Sequence, residues 1–202
     1  MSGKDDRGGA RCLQLRWHGP LSWVRQGGSC LFDSPLTSEP GVYVWAVPRG
    51  TAFLTYYVGE TGRSFRQRFE EHTKEYLSGV YRVYDPVLFA QGIKELVWGG
   101  MWQRGRTHLW PDFLEEYVEI APITYRFLTC LRVFLAPCRV EERVRERIEA
   151  AIAEAARNCD ESARTFFDEG VQYRPRREEE EPFELINQAD RVILGLEGSM
   201  QA

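Results

Sequence analysis

Residues 41–48, GVYVWAVP, and 53–61, FLTYYVGET, are two β-branched and aromatic runs separated by a Pro-Arg-Gly turn signal. Such residues fit a pleated, packed surface, and a turn between two such runs reads as a β-hairpin. SFRQRFEEHTKEYLSG (64–79) follows directly, with Ser64 suited to cap a helix start and Gly79 suited to end it. At the helical period Phe65, Phe69 and Tyr76 share one face. A hairpin leading straight into an amphipathic helix is thus the unit around which the rest of the chain has to fold.

Polar residues interrupt the apolar face of that helix. His72 projects within about 20° of Phe65 on a helical wheel, and Arg68 lies about 40° from His72, one turn earlier. Arg66 points away, by about 120°. A guanidinium and an imidazole on a core-facing stripe need partners or a cleft. The hairpin offers two phenols, Tyr43 and Tyr57, and Gly59 permits a tight turn or a close approach to a ligand. Arg holds non-bridging phosphate oxygens bidentately, and a phenol relays a proton when a base is near, so the set suits a phosphodiester.

Composition bounds the partners. The 202 residues carry 26 Lys+Arg against 30 Asp+Glu, a formal charge of -4, which excludes binding nucleic acid by bulk positive charge and leaves a local patch. With 43% hydrophobic residues the chain buries a sizeable core and is not wholly disordered. The best apolar stretch, 127–137, is too short to span a membrane and contains Arg132, and 1–11 lacks the apolar segment of a secretory signal. Cys12, Cys30, Cys130, Cys138 and Cys159 form no CxxC and are odd in number, so a reducing cytoplasm is expected.

Elsewhere, 1–10 reads as a flexible leader, 11–40 as short strands and turns, and 80–110 as a loop rich in Gly and Trp. A short helix is expected over 112–121, ending before Pro122, then a strand over 124–135. Residues 140–157 form a strong amphipathic helix with Val140, Val144, Ile148, Ala151, Ile152 and Ala155 on one stripe. The tail, 170–202, is expected to wrap on the domain. Trp98, Trp102 and Trp110 flank QRGRTH (103–108). Basic residues among aromatics suit single strands, and a loop packed by its own tryptophans is the preferred reading.

Gly41-Val42-Tyr43, Tyr57-Val58-Gly59 after an interval of 14 residues, and then Arg68 and His72 together resemble the GIY-YIG nuclease superfamily in its Arg-x-x-x-His form. The likeness is strong over 41–79 and weak over 124–157. It implies an α+β fold: a small antiparallel sheet of about three central strands flanked by helices. That domain is expected over 41–157, with a packed N-terminal extension at 11–40 and a C-terminal extension at 158–202. The implied activity is endonucleolytic hydrolysis of a nucleic-acid phosphodiester, with DNA the expected partner and one Mg²⁺ or Mn²⁺ as cofactor. Carried over, Tyr43 deprotonates water, Tyr57 and His72 assist, Arg68 stabilises the pentacovalent phosphate, and Gly59 is structural. The metal-holding glutamate is Glu149 by its IEAAI context, although it lies about 120° from the centre of the apolar stripe. Glu141 and Glu142 compete, and a solvated surface role for Glu149 stands on equal footing. The asparagine often found in the family about a dozen residues later has no counterpart, since Asn158 and Asn187 fall at other spacings. The alternative is a non-catalytic nucleic-acid- or protein-binding module on the same fold.

Overall fold

The computed structural model describes residues 12–25, 27–102, 106–168, 170 and 172–202. The expected leader and positions 103–105 of the tryptophan-flanked run lie outside the described residues. In chain order the elements are β1 (Cys12–Ser22), β2 (Gly41–Arg49), β3 (Ala52–Thr61), α1 (Phe65–Leu77), β4 (Val83–Tyr84), α2 (Pro86–Phe89), β5 (Leu96–Trp98), α3 (Trp110–Cys130), β6 (Arg132–Pro137), α4 (Glu142–Asn158), α5 (Glu161–Phe166), β7 (Glu184–Ala189), β8 (Val192–Leu194) and β9 (Ser199–Gln201). Three short 3-10 segments join them, at Leu31–Asp33, Pro35–Ser38 and Arg106–Leu109.

The hairpin forms from β2 and β3. Arg49 pairs with Ala52, and Gly50 takes the positive φ of 61° that the first position of a two-residue hairpin loop requires. β2 also pairs antiparallel with β6. The expectation of a small sheet of about three strands is overturned, because the sheet has seven strands in the order β8-β3-β2-β6-β1-β7-β9. It is mixed: β1 runs antiparallel to β6 but parallel to β7, and β8 runs parallel to β3. The added strands come from 12–22, where Leu13, Leu15 and Trp17 alternate with Gln14, Arg16 and His18, and from 184–201, where most residues are exposed or only partly buried.

Helices cover both faces, so β2 is buried over its first seven residues. Alternation sends Tyr43, Trp45 and Val47 to the α1 and α3 side, and Val42, Val44 and Ala46 to the α4 side. Each fully buried aromatic or aliphatic side chain contributes about 1.5–3 kcal/mol relative to exposure. α1 lays Phe65, Phe69, His72 and Tyr76 on the first core, with Ser64 Oγ accepting the Gln67 N–H at 3.3 Å as its cap.

Further expectations are corrected. The helix expected to stop before Pro122 continues to Cys130, and the strand expected from 124 begins at Arg132. Burial of Ile120, Thr124, Phe127 and Leu128 follows helical spacing and outweighs the proline. The orphaned carbonyl, that of Val118, lies on the solvent side, where the Val118 side chain is 83% exposed. The span 80–110 is not loop throughout, since it contains β4, α2 and β5. Of the three tryptophans expected to pack their own loop, Trp98 does so and donates its Nε1–H to the Gly79 carbonyl at 2.6 Å. Trp102 and Trp110 are exposed.

Candidate active site

A β-bulge and a missing side chain set the geometry. Between Trp45 and Ala46 the register of β2 against β3 slips by one residue, so that Tyr56 and Tyr57 both join the α1-side core. Tyr57 lies opposite Trp45, and Gly59 lies opposite Tyr43. The Tyr43 ring crosses over Gly59, where an added Cβ would stand 2.4 Å from both Cζ and Oη of Tyr43. Gly59 is therefore required for space, not for its backbone conformation, since its φ is not positive.

From α1, His72 and Arg68 reach the same phenol. Tyr43 Oη lies 2.7 Å from His72 Nε2, and Arg68 Nε donates to Tyr43 Oη at 3.3 Å. His72 Nδ1 lies 3.0 Å from the Tyr81 hydroxyl. The arrangement is self-consistent with Nδ1–H donating to Tyr81 and Nε2 accepting from Tyr43, whose oxygen then accepts from Arg68. Tyr57 stands beside the cluster, its ring centroid 6.0 Å from that of Tyr43. Arg68 also contacts Glu71 at 3.4 Å, but both Glu71 oxygens are held by Arg63 at 2.5 and 2.8 Å.

Burial dominates the electrostatics. It pushes the phenol pKa of Tyr43 well up, against the charge and hydrogen bond of Arg68. Burial also raises Tyr57. Burial and then the Arg68 charge hold His72 well below its ordinary value, so its ring is neutral at pH 7 and one ring nitrogen is a hydrogen-bond acceptor.

Glu149 extends from α4, on the other face of the sheet, to the end of β3. Its carboxyl pKa is pushed up to about 8 by burial and by the neighbouring Glu60 charge, while the Glu60 backbone N–H and Arg68 pull the other way. The Glu149 charge also acts on Tyr43 and Tyr57. Glu141 and Glu142, the competing candidates, lie exposed at the start of α4, roughly 10 Å away along the helix axis. Among the described residues no group of three or more His, Cys, Asp or Glu side chains could hold a metal ion. A single buried carboxylate still suits Mg²⁺, which keeps several waters and takes one or two carboxylates with substrate phosphate. A carboxyl that burial and a neighbouring carboxylate push up to about 8 gains from a divalent cation, which favours its charged form. Glu60 is paired with Arg145 at 2.8 Å.

A cavity of about 530 Å³ opens beside the cluster, with Tyr57, Arg68, His72 and Tyr81 in its wall. Tyr43 is 0% exposed and lies behind that wall, and Glu149 is not part of it. Tyr43, Tyr57, Gly59, Arg68 and His72 thus come together, with Glu149 in electrostatic reach. Asn158 is exposed at the end of α4, and Asn187 accepts the Trp17 indole N–H at 2.9 Å. Sequence reasoning missed Tyr81, which no motif marks, and Glu60, whose adjacency to Gly59 was the available signal. No helix among the described residues is long and apolar enough to cross a membrane. Comparison with protein-family models, with curated proteins and with solved structures finds no match to this chain.

Proposed function

We propose that the chain is a divalent-metal-dependent endonuclease of GIY-YIG type, acting on a nucleic-acid phosphodiester, with DNA the expected substrate. The observation that carries this reading is the hydrogen-bonded set Arg68–Tyr43–His72, gathered from β2 and α1 beside Tyr57. A buried phenol resists ionisation, so a free phenolate is a poor base here. A relay avoids it. As water attacks phosphorus, its proton passes to Tyr43 Oη while the Tyr43 proton passes to His72 Nε2, 2.7 Å away. The new P–O bond forms as the bond to the leaving oxygen breaks, and the Arg68 guanidinium stabilises the charge gathering on the phosphate. Neutral His72 presents an unprotonated Nε2 to that proton, burial and the Arg68 charge keep the imidazolium short-lived, and Tyr81 keeps the ring oriented. Glu149 would hold a Mg²⁺ or Mn²⁺ ion, which would supply Lewis-acid stabilisation of phosphate charge. The five cysteines, all unpaired, agree with a reducing cytoplasm as the site of action.

A second reading, a non-catalytic nucleic-acid-binding module, draws on the complete burial of Tyr43 and the absence of Glu149 from the cavity wall. Cleavage of supercoiled plasmid, linear duplex, branched DNA and RNA, with Mg²⁺, Mn²⁺ or EDTA, separates the two. For the enzyme, Tyr43→Phe, Arg68→Ala and Glu149→Ala each lower the rate, the first by about 10²–10⁴-fold, and the losses do not add. For the module, wild type cuts nothing, and only Arg68→Ala weakens binding and its salt dependence. Undiminished cleavage by Tyr43→Phe would sink the mechanism.

A further inference from the structure

The cavity beside the cluster has more structure than a phosphate needs. Its wall is aromatic, and rings run inward from its mouth. Trp102 is 67% exposed and lies 5.6 Å from Tyr81, Tyr81 lies 5.8 Å from His72, and His72 lies 5.8 Å from Tyr43, as ring centroids. Trp102 packs one side of its indole on Tyr81 and leaves about two thirds of its surface open at the cavity rim, where a flat ring could stack. Arg68, Arg82 and Arg106 share the wall, a local basic site on a chain whose net charge is -4.

The cavity wall carries charge of both signs, Arg68, Arg82 and Arg106 with Asp168. Arg68 acts on Tyr43, Tyr57 and Tyr81, at the end next to the catalytic cluster. Asp168, also in the wall, is fixed by its backbone N–H donating to the Tyr56 carbonyl at 2.8 Å, and its charge acts on Tyr56, Tyr76, Tyr84 and Tyr81. A ligand with an anionic group for the arginines and an amino or ring N–H donor for Asp168 matches that lining. A nucleotide has that layout. A volume of about 530 Å³ lies within the range of about 300–1,000 Å³ for pockets that enclose small organic ligands.

We infer that this cavity receives an unstacked nucleobase next to the scissile phosphate, so that the substrate is an unpaired strand and not an intact duplex. The inference rests on the nuclease reading for what happens at the phosphate. Rings that line a concave cavity stack on a base only by its π-face, and in a duplex both faces are covered by neighbouring pairs. Trp102 is the outer stacking platform, Arg82 and Arg106 attract the strand, and Asp168 accepts from the N–H donors of the base.

The test uses the full chain in EDTA. Binding of a short labelled single strand is compared with that of the duplex of the same sequence, by anisotropy at about 50 and about 200 mM salt, for wild type, Trp102→Ala and Trp102→Phe. Cleavage of both forms is measured separately in Mg²⁺ and Mn²⁺. The expected result is about tenfold preference for the single strand, lost in Trp102→Ala and largely kept in Trp102→Phe, in line with one base-aromatic stack. Equal binding of both forms, or Trp102→Ala binding like wild type, overturns the cavity assignment and leaves the nuclease reading intact if cleavage is seen. Trp102-dependent single-strand binding without cleavage supports the cavity and defeats the nuclease reading. Competition by a free mononucleotide as strong as that by the oligonucleotide overturns the strand in favour of a small-molecule ligand. Absence of both cleavage and binding removes both.

Discussion

A Cβ on Gly59 would collide with the Cζ and hydroxyl of Tyr43 at 2.4 Å, and Gly59 needs no positive φ, so Gly59→Ala is a purely steric probe. Tyr43 has no room to yield, with Trp45, Phe65 and Phe69 around it at centroid distances of 6.0, 6.2 and 5.1 Å. We predict a stability loss of about 1–3 kcal/mol, read by thermal melting, as for other overpacked cores. We also predict a cleavage loss of about 10²-fold, because displacing a reacting group by about 1 Å costs on that order. Wild-type values for both would mean the phenol does not lie over Gly59. At this scale the sequence was informative wherever a residue broke a rule: an Arg and a His on an apolar stripe, a Gly inside a strand. Tyr81 breaks none. It meets His72 because the chain turns back past the end of α1 at Gly79, with the Val80 and Tyr81 N–H groups donating to the Glu75 carbonyl, a direction that a glycine stop signal does not specify.

At the scale of elements, β2, β3, α1 and α4 were readable because each has a dominant periodicity and its own stop signals. α3 was not. The run over 124–130 is aromatic and β-branched enough to suggest a strand, and Pro122 argued for a break. Two packed turns, with Phe127 at 0% and Leu128 at 3% exposure, decided for helix. A proline inside a helix removes one hydrogen bond and crowds the preceding turn. Pro122 is exposed, so Pro122→Ala should restore that bond without disturbing the core. The expected gain is about 1–3 kcal/mol in a denaturant or thermal melt, with cleavage unchanged. A neutral or destabilising result would show that the helix is already relaxed around the proline. β1 and β7 escaped for another reason. Their pairing joins residues 12–17 to 184–189, a parallel contact between segments far apart in the chain; β1 alternates over Leu13, Leu15 and Trp17 but β7 does not, and nothing local says which strand β1 pairs with.

Across the whole molecule, Glu149 and His72 give folding two opposed dependences on pH. His72 is held neutral below its ordinary pKa, so the unfolded chain binds its proton first and stability is lost as pH falls below about 6.5. Glu149 is the reverse case. Its pKa is about 8 in the fold against 4.5 ordinarily, so between those values the folded chain holds a proton that the unfolded chain has released. Without metal, Glu149 therefore lowers stability steadily as pH rises from 4.5 to about 8, by at most about 1.4 kcal/mol per pH unit, and adds no slope beyond. Glu149→Gln should remove that slope. A divalent cation competes with the same proton, so its stabilising effect should grow with pH and level off above about 8. At about 100 times its dissociation constant a ligand adds about 2.7 kcal/mol. For a chain of this size that is a rise of about 5–10 °C in melting temperature. The measurement is the Mg²⁺-induced shift in melting temperature at about pH 6 and about pH 9, in wild type and Glu149→Gln. A shift that is larger at the higher pH and vanishes in Glu149→Gln supports Glu149 as the metal-holding residue, independently of any cleavage. A shift that ignores pH, or that survives in Glu149→Gln, moves the metal elsewhere and leaves Glu149 as a buried carboxyl whose charge matters only to the tyrosines beside it.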